Sequence, residues 1–326
     1  MDETSSYAII KEMLEAPALM RRFDCARTAD WIRDIEVKKR LLLTGEGASR
    51  IFPAKNMISL ALQRHSPWQI HTEGARQAVE YNLKDFFILG ASASGRTREL
   101  TALFEKLKLA HIPTHAVTAA GSRLAEIADH VIPLSCGPEK ATAATKSVIE
   151  QALLYQSLLQ GDKWNNLGIA ADLCERVLQQ TIAPDIISLL KDTPVIYFSG
   201  RNDGVAEELA LKTNEIAHKK SIYLEGTYAL HGIEEVMQAD EVVVVIEPFS
   251  EEIEKYNHIL KDRAGVTVIA VSSTETPFPT IRIPALSGFN GYIQLMAGWN
   301  LLVALGLANA IDIDKTTRAR KVGNEI

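Results

Sequence analysis

The sequence predicts an α/β protein of two tandem domains, each a parallel five-stranded sheet flanked by helices in a flavodoxin-like three-layer sandwich. Three observations lead there. Short apolar runs alternate with helix-length amphipathic stretches, as in parallel strands covered on both faces. The pattern then repeats: Gly45 matches Gly200, and Asp129-His-Val-Ile-Pro-Leu134 matches Thr280-Ile-Arg-Ile-Pro-Ala285. The length of 326 residues, 47% of them hydrophobic, suits two domains with cores of their own.

Taken in order, the stretch to about Asp34 reads as helical. Arg40–Thr44 reads as a strand ending at Gly45, and Ile51–Arg64 as a helix. Trp68–Ile70 is a short strand, Glu73–Tyr81 a helix and Phe86–Ala91 a strand. After a polar loop come helix Arg98–Leu107, strand Thr114–Thr118, helix Arg123–Ala128, strand His130–Leu134 and a long helix at 143–159. In the second half, strands are expected at Pro194–Ser199, Glu241–Ile246, Val266–Val271 and Ile281–Ile283. Helices are expected at Val205–His218, Glu251–Lys261 and Tyr292–Leu307. The expected organisation is an N-terminal helical segment (1–34), domain 1 (35–160), a helical linker (161–193), domain 2 (194–310) and a C-terminal tail (311–326).

The net charge of −6 argues against a nucleic-acid partner, which calls for a basic face. Cys25, Cys136 and Cys174 are odd in number and widely spaced, so neither a disulfide framework nor a zinc site is expected. His111 and His115 are separated by Ile112-Pro113, which breaks any helix between them, so no metal site is expected. The N-terminus has no basic segment leading an apolar stretch, and Ile293–Leu307 falls short of the ~20 residues of a membrane span. A cytoplasmic protein with no membrane partner and no cofactor is expected.

Six motifs could carry chemistry. Ser92-Ala-Ser-Gly-Arg-Thr97 lies between a buried strand and a helix. Its hydroxyls, its glycine and the free N–H groups of a helix start form an anion site, although a capped turn would look the same. Thr44-Gly-Glu-Gly-Ala-Ser49 holds a similar position, but Arg50 stands where a dinucleotide fingerprint needs glycine. Gly137–Lys146 offers Thr142 and Thr145 before the long helix. On helix Glu207–His218, Glu215 and His218 share a face, and a carboxylate against an apolar face can serve as a base. Leu230-His231-Gly232 and the charged tail from Asp312 complete the set; each also reads as ordinary loop or terminus.

Together these motifs resemble the sugar isomerase (SIS) family, most closely the isomerase half of glucosamine-fructose-6-phosphate aminotransferases, from about Leu41 to Glu325. Gly45-Glu-Gly-Ala-Ser49 is similar to Gly-Cys-Gly-Thr-Ser, and Ser92–Thr97 to the phosphate loop Ser-Gln-Ser-Gly-Glu-Thr. Cys136-Gly-Pro-Glu and Ala144-Thr-Lys146 resemble Ala-Gly-x-Glu and Ser-Thr-Lys. Ala210–Ile216 resembles Ala-Leu-Lys-Leu-Lys-Glu-Ile, Leu230-His-Gly232 resembles Lys-His-Gly-Pro, and Asp312-x-Asp314 with Lys321 resembles the family tail. On this resemblance the fold is two tandem SIS domains.

The resemblance implies that Ser49, Ser92, Ser94, Gly95 and Thr97 hold a phosphate, with Ala48, Thr142 and Ala144 beside the sugar. His231, from the neighbouring subunit of a homodimer, opens the ring. Glu215 moves a proton between C1 and C2, and Lys321 stabilises the open-chain sugar. The expected activity is an aldose–ketose isomerase on an amino-sugar phosphate, interconverting glucosamine 6-phosphate and fructose 6-phosphate with release or uptake of ammonia. A fructosamine-6-phosphate deglycase and a non-catalytic sugar-phosphate sensor are the alternatives. No cysteine follows Met1, so glutamine-dependent amination by this chain alone is not expected. Arg96 and Glu46 depart from the family pattern and are expected to form an ion pair.

Overall fold

A computed structural model describes residues 6–159 and 164–319. The chain forms two compact units, one built mainly on Ala18–Glu139 and the other mainly on Asn166–Arg318. A short segment, Lys140–Ala143, packs with the second unit.

Helix α1 spans Ala8–Arg21 and α2 spans Ala29–Lys38. The first unit then runs β1 (Arg40–Gly45), α3 (Ile51–Gln63), β2 (Gln69–Gly74), α4 (Ala75–Ala78), β3 (Phe87–Ser92), α5 (Arg98–Leu109), β4 (Thr114–Thr118), α6 (Arg123–Ile127), β5 (His130–Pro133) and α7 (Lys146–Ser157). The strands are parallel, in the order β2-β1-β3-β4-β5. Successive strand residues face opposite ways. Leu41, Leu43, Leu89, Ala91 and Val117 pack with Trp31 and Tyr155, whereas Leu42, Ile88 and Ala116 pack with Leu100, Leu103 and Phe104 of α5. The α5 residues recur at helical spacing, which is why this segment coils rather than extends. Gly45 closes β1 because a Cβ there would lie 2.7 Å from the Ala91 carbonyl oxygen.

The second unit contains α8 (Leu167–Gln179), α9 (Pro184–Lys191), β6 (Val195–Gly200), α10 (Val205–Ile216), β7 (Lys220–Glu225), β8 (Val242–Ile246), α11 (Ile253–Lys255), β9 (Thr267–Ser272), β10 (Thr280–Arg282) and α12 (Asn290–Ala308). Its sheet is also parallel, in the order β10-β9-β8-β6-β7. Tyr197, Val243, Val245, Val268 and Ala270 form one core face with Tyr256 and Leu260. At 19 residues α12 is long and apolar enough to cross a membrane, but 72% of its apolar window is buried inside the fold. It packs against α8, α9 and α10. The Asn300 amide in its interior donates to the Val177 and Gln180 carbonyls at 3.0 and 2.6 Å.

Several expectations are corrected here. The stretch read as Trp68–Ile70 is a strand continuing to Gly74, and the helix expected from Glu73 is only Ala75–Ala78. β7 was not expected at all. The helix expected at Glu251–Lys261 is a short α-turn running into a π-helix over Tyr256–Arg263. The two halves are also not two copies of one SIS domain. Both have a five-stranded parallel sheet, but the hydroxyl- and glycine-built loop Ser92–Thr97 after the central strand has no counterpart in the second. In the second, β8 runs into Glu247-Pro-Phe-Ser250, and the Glu247 carboxylate itself accepts the Ser273 N–H at 3.1 Å and the Ser273 hydroxyl at 2.7 Å.

Candidate sugar-phosphate site

The first unit assembles its polar groups at the carboxyl ends of β1, β3, β4 and β5, where open parallel sheets receive ligands. The loop after β3 is organised by its own hydroxyls. Ser92 Oγ, almost wholly buried, lies 2.8 Å from Thr97 Oγ1 and accepts the Gly95 N–H at 3.0 Å. Ser94 Oγ accepts the Arg96 N–H at 3.2 Å. Gly95 has φ +65°, and a Cβ there would lie 2.0 Å from Ser122 Oγ and 2.5 Å from Thr118 Oγ1, so no other residue fits. Thr97 precedes α5 without capping it through its side chain, which leaves that 12-residue helix's first N–H groups directed at the loop.

Ser49 sits in a 3₁₀ turn between β1 and α3, and its Oγ accepts from Gln151 Nε2 of α7 at 3.3 Å. Ala48 is its half-buried neighbour. Glu46 does not behave as expected. Its carboxylate accepts the Arg76 N–H at 3.1 Å, at the start of α4, instead of pairing with Arg96.

A cavity of about 540 Å³ opens beside the loop. Its walls include Ala93, Ser94, Arg96 and Ala119, together with Leu134 and Cys136–Glu139 from the segment after β5. Glu139 accepts the Thr145 N–H at 2.7 Å and the Ser147 N–H at 3.3 Å, and so caps α7. Burial pushes the Cys136 thiol well above its ordinary range, with the Glu150 and Glu139 charges adding to the effect. Sequence reasoning missed Glu150. A lone acid in the middle of α7, a helix with no exposed face, gives no periodic signal.

Ala144 is half-buried just before α7. Thr142 lies in the segment that packs with the second unit, where its N–H donates to the Asp314 carbonyl at 2.9 Å. The Asp314 carboxylate caps α1, accepting the Ala8 and Ile9 N–H groups at 2.7 and 2.8 Å. In the same unit, α10 carries a row of three charges. Lys212 Nζ is fully buried, 3.0 Å from Glu208 Oε1 and 3.4 Å from Glu215 Oε2. Glu208 is also fully buried, and apart from this ion contact neither of its oxygens accepts a hydrogen bond. Burial raises its pKa, against the pull of Lys212. The Glu215 side chain keeps 25% exposure, so this acid of the row can meet a ligand. His231 is exposed, its Nε2 3.2 Å from Thr227 Oγ1, between 3₁₀ turns at Tyr228–Leu230 and Ile233–Glu235. Lys321 lies outside the described residues. Among the described residues no cluster of His, Cys, Asp or Glu is arranged to hold a metal.

A parallel sheet whose central strand delivers a hydroxyl- and glycine-built loop to an uncapped helix start is an α/β arrangement suited to an anion. The SIS domain model matches residues 34–160. The match is single: the second sheet lies outside it, so the expectation of two tandem SIS domains is overturned.

Glutamine–fructose-6-phosphate aminotransferase [isomerizing] of Staphylococcus aureus (strain Mu50) is 28% identical over 259 residues, covering 70% of this chain. The chain spans 42% of that relative's length. Among solved structures, the C-terminal domain of glucosamine-fructose-6-phosphate aminotransferase from Francisella tularensis superposes with a TM-score of 0.80 at 16% identity. That alignment covers 97% of this chain and 100% of the other. Glucosamine-6-phosphate deaminase from Thermotoga maritima gives 0.73 at 18% identity, covering 96% and 98%.

Proposed function

We propose that this chain is an aldose–ketose isomerase of amino-sugar phosphates, interconverting glucosamine 6-phosphate and fructose 6-phosphate with release or uptake of ammonia. The observation that carries the reading is the Ser92–Thr97 loop: three hydroxyls, a glycine that admits no side chain and an uncapped helix start. The names of the relatives supply the substrate class.

In this reading Ser49, Ser92, Ser94 and Thr97, with the amides around Gly95, bind the phosphate, and Ala48, Thr142 and Ala144 adjoin the sugar. His231 passes a proton from the ring hydroxyl to the ring oxygen. A second copy of the chain supplies it in a homodimer; the exposed Tyr228 and Val236 beside it support such an interface. Glu215 takes the C2 proton of the open aldose and returns it to C1, while a proton passes from the amine nitrogen to O1, leaving a C2 imine. Water adds to that imine, and ammonia leaves as the ketose carbonyl forms. Lys212 Nζ, 3.4 Å from Glu215 Oε2, holds the carboxylate in place on α10. Lys321 attends the open-chain sugar.

Purified protein given glucosamine 6-phosphate is expected to release ammonia and fructose 6-phosphate in equal amounts. Glu215→Gln should lower turnover by about 10²–10⁴-fold and still bind the sugar phosphate. Retained turnover would remove Glu215 from the role. The fructosamine-6-phosphate deglycase reading keeps the same steps with a larger amine. The breadth of the cavity, about 540 Å³ with alanine, leucine and proline among its walls, favours it as the second choice.

A further inference from the structure

Glu150 is the most heavily hydrogen-bonded buried acid of the first unit, and no step above uses it. It stands on the second turn of α7 with its side chain at 0% exposure. Its carboxylate accepts the Ser135 N–H at 2.8 and 2.9 Å, the Ser135 hydroxyl at 2.7 Å and the Cys136 N–H at 2.8 Å. The Arg27 guanidinium, 2.7 Å away, supplies the countercharge and also donates to the Pro133 carbonyl. Burial works against the charge of Glu150, but the Arg27 and Ser135–Cys136 donors outweigh it and hold the carboxyl below its usual range.

The location of these donors gives Glu150 a consequence beyond packing. Ser135 and Cys136 begin the segment that leaves β5, and Leu134 and Cys136–Glu139 of that segment wall the cavity. The far end is held too, since Glu139 caps the start of α7 through Thr145 and Ser147. Between the two grips Gly137 turns with φ +73°. A loop pinned at both ends by carboxylates keeps its shape whether or not the cavity is filled, which lowers the ordering cost of binding.

We propose that Glu150, held by Arg27, is a positioning residue that sets the wall Leu134–Glu139 of the sugar-phosphate cavity. The inference rests on the reading of that cavity as the substrate site. The test compares wild type, Glu150→Gln and the milder Ser135→Ala, which removes one hydroxyl donor. Calorimetric binding of glucosamine 6-phosphate, steady-state kinetics and amide hydrogen exchange over 134–139 are measured on each.

Glu150→Gln should raise Kd and KM about tenfold, the loss of one charge-assisted contact set, with kcat changed less than about threefold. Exchange over 134–139 should quicken, and Ser135→Ala should shift each quantity the same way by less. Folded variants with wild-type Kd and wild-type protection at 134–139 would overturn the proposal; a purely structural Glu150 would lower Tm and leave KM alone. If wild type takes up no sugar phosphate, the functional reading fails, and exchange at 134–139 alone decides the positioning role. If Glu150→Gln does not fold, Ser135→Ala decides it.

Discussion

The two sheets share one strand order, yet they end differently at their central strands. β3 leads into Ser92-Ala-Ser-Gly-Arg-Thr97, where hydroxyls and amides face an uncapped helix and gather no internal negative charge. β8 leads into Glu247, a non-glycine residue at φ +46°, whose carboxylate has already taken the donors of Ser273. Nearby, Arg201 donates to the Glu247 carbonyl and stacks over Phe249. The first end offers donors to an anion, whereas the second has built an acid into the same place. The apolar strands fix the architecture in both halves, and the loop residues set the two apart; on the proposed reading the first receives the phosphate.

The largest effect is expected from Gly95→Ala. With Ser122 Oγ 2.0 Å from the new Cβ, the loop must open, and two or more charge-assisted hydrogen bonds to phosphate go with it. Sugar-phosphate affinity should fall by about a hundredfold in a titration, the second sheet being unaffected. Wild-type affinity would show that the loop is not the anion site.

Acid sensitivity should also divide the halves. His115 of β4 is buried between Phe87 and His130, and neither ring nitrogen meets a hydrogen-bond partner. Burial first, then the charge of His130, lowers its pKa from 6.5 to about 4, against smaller opposing pulls from the Ile88 backbone, Asp34 and Asp129. β9 carries Ile269 where β4 carries His115. Above pH 6.5 the ring is neutral in both folded and unfolded chains. Between pH 6.5 and 4 only the unfolded chain takes the proton, so stability falls with pH, by at most about 3 kcal/mol. His115→Leu should flatten this slope in denaturant titrations between pH 7 and 4. An unchanged slope would place the acid sensitivity elsewhere.

The smallest effect is expected in the second half. Glu247→Gln should cost about 1–2 kcal/mol of stability by chemical denaturation, through the weakened Ser273 contacts. It should leave sugar-phosphate affinity within about twofold of wild type. A larger change in affinity would mean that the β8 end shares in ligand binding after all.

What the sequence disclosed follows the same division. Central strands such as Leu41–Leu43 and Val242–Ile246 are buried on both faces and show as unbroken apolar runs. The strands misread or missed, β2 and β7, are the outer strands that flank β1 and β6 in the two sheets. His71, Thr72 and Glu73 in one, and Lys220, Ser221 and Glu225 in the other, dilute the apolar pattern because an edge strand is only half covered. The hydroxyl loop was legible because its residues are adjacent in sequence. The grip of Glu150 on Ser135 and Cys136 was not, since it joins positions about fifteen apart through tertiary packing, as helix-to-strand contacts commonly do. The expected Glu46–Arg96 pair failed for a related reason: the start of α4 offered Glu46 a backbone donor that no sequence pattern announces.

In the proposed reaction a proton moves between C2 and C1 of an amino-sugar phosphate. The most direct test is proton NMR of glucosamine 6-phosphate with the purified protein in deuterated water. Loss of the C2 proton signal is expected as fructose 6-phosphate and ammonia accumulate, with the loss abolished in Glu215→Gln. A C2 signal that persists undiminished, with no ketose formed, would contradict it.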